Sequence, residues 1–429
     1  MPQAVQAISD DEVSRILGDL PGGFVRAYVE SVAPYQDAPL AYHLGAALTL
    51  VASVAESMTS IDAPGLPMRA NLYTLLVGPS GSSRKSTAID MAKRVLHGVN
   101  STLVAPTPGS YEGLVGALSQ APQCTLFDRE LGRFLSQSGR NRHLEPLKTG
   151  LLDIYDCGPT SKTLADSQIV VPDTRLSLLA GCAPSHLDDH LTIADIDGGF
   201  LARFLLLPGE RSRWLNPQAI PEDLIAQQIE ALRHRMQAVP PLHVSIAGSS
   251  VETDMRTWAQ GVDVRASKVP QAAAAVAARV VHHAYKLGLV LTFDLEAMNY
   301  GLGMRSFDPV RTPARHDAFL AATRIAELHA RAAIGLAMSL PADPRLRLLG
   351  RVRNVLVDQW MKRESPLVDL GTLTAEAPCL LRDLRPVMET LAAQGFARLS
   401  HQEVVGKQLI DWYSPGPAGT AWMARGGVP

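Results

Sequence analysis

Residues 72–87 read Leu72-Tyr73-Thr74-Leu75-Leu76-Val77-Gly78-Pro79-Ser80-Gly81-Ser82-Ser83-Arg84-Lys85-Ser86-Thr87. The apolar run 72–77 has the length and character of a strand that is buried on both faces of a parallel sheet. A loop rich in glycine and serine follows, and residues 88–96 then show the apolar periodicity of a helix. This order of strand, loop and helix predicts the βα unit that many proteins use to bind phosphate groups.

The loop departs in one respect from the phosphate-binding pattern G-x-x-x-x-G-K-[ST]. It is one residue longer, and Ser83 with Arg84 stands where the pattern has a single glycine. Its small residues still let backbone N–H groups surround phosphates, and Lys85 is placed to reach the β and γ oxygens. We therefore predict a site for ATP and Mg²⁺, in which the hydroxyl of Ser86 or Thr87 holds the metal. The residues predicted to bind the nucleotide are Gly78, Pro79, Ser80, Gly81, Ser82, Ser83, Arg84, Lys85, Ser86 and Thr87. The alternative is a loop whose Arg84-Lys85 pair only caps the helix.

Three further apolar runs have the character of buried strands, at 124–127, 176–180 and 204–207. A helical pattern at 144–155 and a hairpin at 161–171 lie between them. Alternating elements of this kind predict an α/β fold with a mostly parallel sheet covered by helices. The predicted divisions are a helical region 1–62, a core 63–216, a helical domain 217–340, a winged-helix-like domain 341–414 and a flexible tail 415–429.

A second group of charged residues follows the run 124–127. In the simple interpretation Asp128 positions Mg²⁺ and Glu130 polarises the attacking water, because hydrolysis needs a base and a metal beside the γ-phosphate. Arg129 between the two carboxylates is unusual. The alternative is that both carboxylates are solvated loop charges, and the sequence leaves open which of the two positions the metal.

Arg203 interrupts an apolar segment that begins at Gly198-Gly199. An arginine here is a candidate finger acting on the ATP of a neighbouring subunit, because a fixed guanidinium stabilises the charge of phosphoryl transfer. The alternative is a salt bridge within the chain. Cys182 ends the run 176–180 where a γ-phosphate sensor would lie, but a thiol is a weak hydrogen-bonding group.

Composition limits the other classes of function. The net charge of −2 and the pI near 6.6 argue against a protein that coats DNA. The four cysteines have no metal-binding spacing, so neither a disulfide framework nor a zinc site is expected, and a reducing cytoplasm fits best. The longest apolar stretch, 40–55, is shorter than a membrane span and predicts a buried helix.

The motifs together resemble a family of P-loop ATPases from phages, plasmids and genomic islands, whose members are regarded as primase-associated or replicative helicases. The resemblance rests on residues 71–81, 84–87, 130–132, 152–156 and 199–204. In that family the extended loop ending in Arg-Lys is typical, whereas an Asp-Glu pair is expected in place of Asp128-Arg129-Glu130. The resemblance implies a RecA/AAA-like core with helical flanking regions. It also implies a ring-forming homo-oligomer, such as a hexamer, with ATP at the subunit interfaces.

A ring of this kind would pass DNA through its centre. Lys162, in the predicted hairpin, is then a candidate contact to a DNA phosphate, although a lone lysine on a hairpin is more often only solvated. In the C-terminal region Arg351 and Arg353 are candidate DNA contacts, together with Lys362 and Arg363, and the equal alternative is a solvated helix face. His282 and His283 are expected to pack rather than to catalyse.

These observations predict an ATP-dependent DNA motor or helicase in the replication of a mobile genetic element, with DNA and a primase or other replication protein as partners and no membrane. The main alternative is a loader or regulator that binds DNA and uses ATP as a switch without unwinding. A small-molecule kinase is a third, less favoured interpretation, because the sequence shows no acceptor site.

Overall fold

A computed structural model describes residues 5–55, 59–62, 67–131, 145–163, 168–191, 195–196, 198–215, 219–238, 242–268, 271–301, 312–339, 344–362, 367–376, 381–405 and 408–424. The chain forms two compact units. One extends from Val5 to Met338, and the other comprises Ser339–Pro429.

The first unit contains most of the helices and strands. Its helices are α1 (Asp10–Asp19), α2 (Gly23–Val32), α3 (Leu40–Ala55), α4 (Lys85–Val99), α5 (Tyr111–Gln120), α6 (Glu145–Tyr155), α7 (Pro184–His190), α8 (Glu222–Ala238), α9 (Ser250–Ala266), α10 (Gln271–Gly301) and α11 (His316–Ser339). Its strands are β1 (Thr59–Asp62), β2 (Pro67–Arg69), β3 (Tyr73–Val77), β4 (Gln123–Asp128), β5 (Thr160–Thr163), β6 (Gln168–Val171), β7 (Arg175–Cys182), β8 (Phe204–Pro208), β9 (Leu242–Ser245) and β10 (Thr312–Pro313).

The four predicted apolar strands form one parallel sheet, in the order β4-β7-β3-β8. The residues of β3 and β8 are buried throughout, as expected for strands covered on both faces. The prediction of a parallel α/β sheet is therefore confirmed. Because all four strands run the same way, their carboxyl ends meet at one edge, which is where ligands of such sheets usually bind.

Helix α3 crosses one face of this sheet, and the prediction of a buried helix at 40–55 is confirmed. The hydroxyl of Thr49 lies 2.9 Å from that of Thr74 on β3, and the hydroxyl of Ser53 lies 2.6 Å from that of Thr125 on β4. Such bonds satisfy the polar groups of these buried side chains. None of the described helices combines the length and the apolar character that a membrane span requires.

The predicted domains 1–62, 63–216 and 217–340 lie almost entirely within one compact unit, Val5–Met338. A second sheet, of order β10-β9-β1-β2, joins segments from all three of the predicted domains. Its strand β9 pairs in parallel with β1, from which it is remote in sequence. The region 217–340 is thus not purely helical.

Asp294 of α10 also contacts segments that are distant from it in the sequence. Its carboxylate accepts the N–H groups of Phe24 and Val25 at 2.7 and 2.9 Å and is ion-paired with Arg235. It lies at the amino end of α2, where the helix dipole favours a negative charge.

The predicted hairpin is confirmed, because β5 and β6 pair in an antiparallel arrangement. Residues 164–167, between these strands, lie outside the described residues. As expected, His283 packs in the core, where its Nε2 donates to the carbonyl of Ala202.

The second unit contains helices and a three-stranded antiparallel sheet. Its elements are α12 (Pro344–Lys362), β11 (Val368–Asp369), α13 (Leu370–Glu376), α14 (Leu381–Ala393), β12 (Ala397–Val405), β13 (Gln408–Pro415) and α15 (Pro417–Ala424). The sheet order is β11-β13-β12. The prediction of a flexible tail from residue 415 is wrong for residues 417–424, because α15 packs on this unit through Met423.

Candidate functional site

The loop 78–84 joins the carboxyl end of β3 to the first turn of α4, as the sequence predicts. Two of its residues have left-handed backbone conformations, Gly81 with a φ of 77° and Arg84 with a φ of 61°. Arg84 is the residue that precedes α4, and its side chain makes no capping hydrogen bond to the amino end of that helix. This end carries the positive pole of the helix dipole and backbone N–H groups that suit an anion.

The start of the loop is packed tightly. A Cβ on Gly78 would overlap the hydroxyl of Tyr42 and lie 2.7 Å from the carbonyl oxygen of Gly209. That hydroxyl lies 2.7 Å from the carbonyl oxygen of Val77, and the N–H of Gly78 donates to the carbonyl of Cys182. These contacts hold the loop between the ends of β7 and β8.

The ammonium group of Lys85 is enclosed by the loop. Its Nζ lies 2.5 Å from the carbonyl oxygen of Gly78, 3.1 Å from that of Pro79 and 3.2 Å from Oγ of Ser83. The residue is 6% exposed. Burial lowers the pKa of Lys85, while the charges of Glu130 and Cys182 oppose this change. Among the described residues, no carboxylate lies within ion-pair distance of this nitrogen.

Two predicted acidic residues lie at the carboxyl end of β4, beside the last residues of β7, which is the strand between β3 and β4. Asp128 is the last residue of β4, and its Oδ1 accepts the N–H of Glu130 at 2.9 Å. The carboxylate of Glu130 lies 3.1 Å from Nδ1 of His186 in α7. Arg129 turns away from both and donates to Asp90 of α4 at 2.7 Å.

Gly181, in β7, brings these elements close together. A Cβ at this position would lie 2.9 Å from the carbonyl oxygen of Arg129 and 3.4 Å from Cβ of Lys85. The absence of a side chain here lets the acidic segment 128–130 approach α4 across the end of β7. The structure therefore brings Lys85 and the acidic segment to one place.

Sequence reasoning missed His186 and the proximity of Cys182 to it. One ligand atom each of Glu130, Cys182 and His186 lies within 4.8 Å of the others. The positions of these residues in the sequence could have indicated this proximity, since Cys182 ends a buried strand and His186 is in the first turn of the helix that follows. Residues at such positions meet at the carboxyl edge of a parallel sheet.

A network of charged side chains on the other side of the loop was also not predicted from the sequence. Nε of Arg84 donates to Asp37 at 3.1 Å, and Arg211 donates to the same carboxylate at 3.0 Å. The guanidinium of Arg211 stacks on the exposed ring of Trp214, with Cζ 3.3 Å from the ring centroid. Asp37 thus joins the segments before α3 and after β8 to the loop.

Arg203 lies at the opposite edge of the sheet. It precedes Phe204, which pairs with Tyr73 at the amino end of β3, whereas the loop follows the carboxyl end. Its side chain donates to Asp156 at 2.8 Å and to the carbonyl of Gly199 at 3.1 Å. The intrachain salt bridge, which was the alternative to a finger, is therefore present, and Arg203 is not part of the Lys85 site of its own chain.

The candidate DNA contacts belong to different elements of the two units. Lys162 is in β5, but its side chain lies outside the described residues. Arg351 and Arg353 are in α12 of the second unit. Of these two, only the side chain of Arg353 is described, and it is half-buried.

No protein-family model matches the sequence, and no curated protein matches it either.

Proposed function

We propose that this protein is a P-loop ATPase whose nucleotide site is the loop 78–84 with the first turn of α4. The observation that carries the proposal is the buried ammonium of Lys85, which the loop encloses and with which no carboxylate of the described residues forms an ion pair. A buried charge is costly unless it is paired. A triphosphate would supply the missing negative charge, and the amino end of α4 would add N–H donors to it.

The oxygen groups near Lys85 fit Mg²⁺, which prefers hard oxygen ligands. Ser86 is exposed and Thr87 half-buried in the first turn of α4, and Asp128 is half-buried at the end of β4. When bound, Mg²⁺ would neutralise charge on the β and γ oxygens of ATP. The hydrogen bond from the Glu130 N–H holds the Asp128 carboxylate at the strand end, so Asp128 is the better candidate for positioning the metal.

Glu130 is the better candidate for orienting water. Its carboxylate is half-buried and hydrogen-bonded to His186, so it can hold a water molecule by its second oxygen. Because Gly181 has no side chain, the backbone beside Glu130 approaches Lys85 across the end of β7, and against the lowering effect of burial the charge of Glu130 raises the pKa of Lys85. The insertion of β7 between the loop strand and the acidic strand supports a RecA/AAA-like core.

The order of elements in the second unit supports a winged-helix-like module. One helix, one strand, two helices and two strands follow each other in α12 to β13, and the last two strands form the hairpin. Winged helices often bind DNA. With the family resemblance, this supports a cytoplasmic DNA motor in the replication of a mobile element, acting as an oligomeric ring with a primase or other replication protein.

The nucleotide site is tested by substituting Lys85→Ala, with Lys93→Ala as the control. Lys93 is an exposed residue of the same helix, so its loss changes the net charge equally without touching the loop. We expect Lys85→Ala to lose ATP in equilibrium dialysis with Mg²⁺ and to slow hydrolysis by about 100-fold or more, since it removes a charge that stabilises the reacting phosphates. Equal ATP retention by the two variants would refute the proposal.

A forked DNA substrate separates the motor from its alternative. We expect the unsubstituted chain to hydrolyse ATP faster with single-stranded DNA and to unwind the fork. Stimulation of hydrolysis without unwinding would instead identify a loader or regulator. Electron microscopy of the same sample with a non-hydrolysable ATP analogue would show directly whether a ring forms.

A further inference from the structure

Three side chains of different chemistry converge beside the loop 78–84. Glu130 follows β4, Cys182 ends β7, and His186 lies in the first turn of α7. One ligand atom from each lies within 4.8 Å of the other two, and the contact between Glu130 and His186 is already 3.1 Å. The three residues belong to separate elements, so the tertiary fold alone assembles them.

The donor set selects the class of ion. A thiolate, an imidazole and a carboxylate together suit zinc and other borderline or soft transition metals, whereas Mg²⁺ and Ca²⁺ take oxygen ligands. Tetrahedral zinc at its usual bond lengths places ligand atoms about 3.5 Å apart. Because all the separations here are within 4.8 Å, the side chains of Glu130 and His186 need to move by only about 1.3 Å or less to reach that geometry.

The positions of the three ligands differ in rigidity. Cys182 is fully buried, and its carbonyl accepts the N–H of Gly78, so the thiol is fixed at the strand end. Glu130 and His186 are half-buried, which leaves a path for an ion from solvent. Three protein ligands and one open position form the arrangement of zinc sites that also bind water or substrate.

We propose that Glu130, Cys182 and His186 form a binding site for a zinc-class transition-metal ion. Binding replaces the thiol proton of Cys182 with the metal and releases that proton to solvent. A consequence, which rests on the proposed function, is inhibition. The ion holds the carboxylate that would orient the attacking water, while the loop and Lys85 remain able to bind ATP.

Cobalt(II) titration of the full-length chain tests the site without requiring ATPase activity. We expect one equivalent of Co²⁺ to produce a thiolate-to-cobalt charge-transfer band in the near ultraviolet and Zn²⁺ to displace it. Cys182→Ala should abolish the band, and His186→Ala should weaken Co²⁺ binding by at least about 10-fold. Absence of the band in the unsubstituted chain would overturn the proposal.

Two matched controls exclude indirect effects. Cys124 is a second buried cysteine of the same sheet, and His97 is an exposed histidine of α4. Cys124→Ala and His97→Ala should therefore keep the band. A band that persists in Cys182→Ala would also refute the assignment, and thermal melts of all four variants show which of them are folded.

The two proposals fail separately. If the cobalt band depends on Cys182 but ATP with Mg²⁺ is neither bound nor hydrolysed, the metal site stands and the ATPase proposal falls. If ATP is hydrolysed and the band is absent, the metal site falls alone. If both hold, Zn²⁺ should inhibit hydrolysis without displacing ATP, and Cys182→Ala should lose this sensitivity relative to its own zinc-free rate.

Discussion

The backbone of Arg84 adopts a left-handed conformation, with a φ of 61°. For a residue with a Cβ this conformation costs about 1–2 kcal/mol relative to the right-handed form. The ion pair with Asp37, which is largely buried and also pairs with Arg211, holds the side chain in place. Arg84 thus takes the conformation that a glycine would adopt most easily at this position.

Arg203 tests the proposed oligomer at the level of one residue. The loop of its own chain is about the length of β8 away, roughly 16 Å for five residues, so the proposed finger role requires an ATP bound to another subunit. We expect Arg203→Ala to retain ATP binding and to slow hydrolysis by about 1,000-fold or more. The measurement is steady-state hydrolysis beside equilibrium dialysis.

Mixing two inactive variants distinguishes a finger from a structural salt bridge. A Lys85→Ala subunit still carries Arg203, and an Arg203→Ala subunit still carries Lys85, so mixed oligomers should regain part of the activity. Asp156→Asn is the control, because it removes the carboxylate that pairs with Arg203 and keeps the guanidinium. Intact turnover in Arg203→Ala, or failure of a mixture of two inactive variants to regain activity, would leave Arg203 a structural residue only.

Among the elements of the first unit, helix α3 packs against all four strands of the parallel sheet. Gly45 permits the close approach, since a Cβ there would lie 2.7 Å from Cδ1 of Leu207 and 3.0 Å from Cγ2 of Thr74. The surrounding core is close-packed, and a side chain added to such a core forces its neighbours apart. The interface therefore depends on the absence of a side chain at this position.

Substituting Gly45→Val should lower the free energy of unfolding by about 1–3 kcal/mol through overpacking. Gly18→Val is the matched control, because Gly18 is also in a helix and a Cβ there has no atom within 4 Å. We expect that control to change stability by less than about 0.5 kcal/mol. Urea unfolding measures both, and equal losses in the two variants would show that helix propensity, not packing, is responsible.

Buried histidines give the first unit a predicted response to acid. Burial lowers the pKa of His43 to about 4 and that of His283 to about 4, and it lowers the pKa of His329 well below its usual value. In the unfolded chain these groups titrate near 6.5. Between pH 6.5 and pH 4 the unfolded chain therefore binds more protons than the folded chain. The contribution of the neutral, buried histidines to the free energy of unfolding is complete above pH 6.5 and is lost as the pH falls towards 4.

We expect the free energy of unfolding to fall by at most about 1.4 kcal/mol per pH unit for each such histidine in this range. His43→Leu should make the dependence shallower, because His43 is fully buried and neither of its ring nitrogens has a hydrogen-bond partner among the described residues. His97→Leu, at an exposed position, is the control and should keep the original slope. Urea unfolding from pH 7 to pH 5 is the measurement, and identical slopes in all three proteins would contradict the prediction.

At the scale of the whole molecule, local sequence patterns were sufficient to predict individual helices, strands and turns. The apolar run 72–77, the loop after it and the helical periodicity beyond depend on neighbouring residues, and all three are present in the structure. The same holds for the buried helix 40–55 and the hairpin of β5 and β6. Hydrophobic periodicity and turn residues determine such features because they act within a few residues of chain.

Only the tertiary structure decided which elements meet. The placement of β7 between β3 and β4, the approach of Glu130 and His186 to the loop, and the position of Arg203 at the far edge all depend on strand order. The pairing of β9 with β1 likewise joins segments that the sequence suggests are separate domains. Strand order and domain unity arise from contacts between residues distant in the chain, and no local pattern records which buried strand pairs with which.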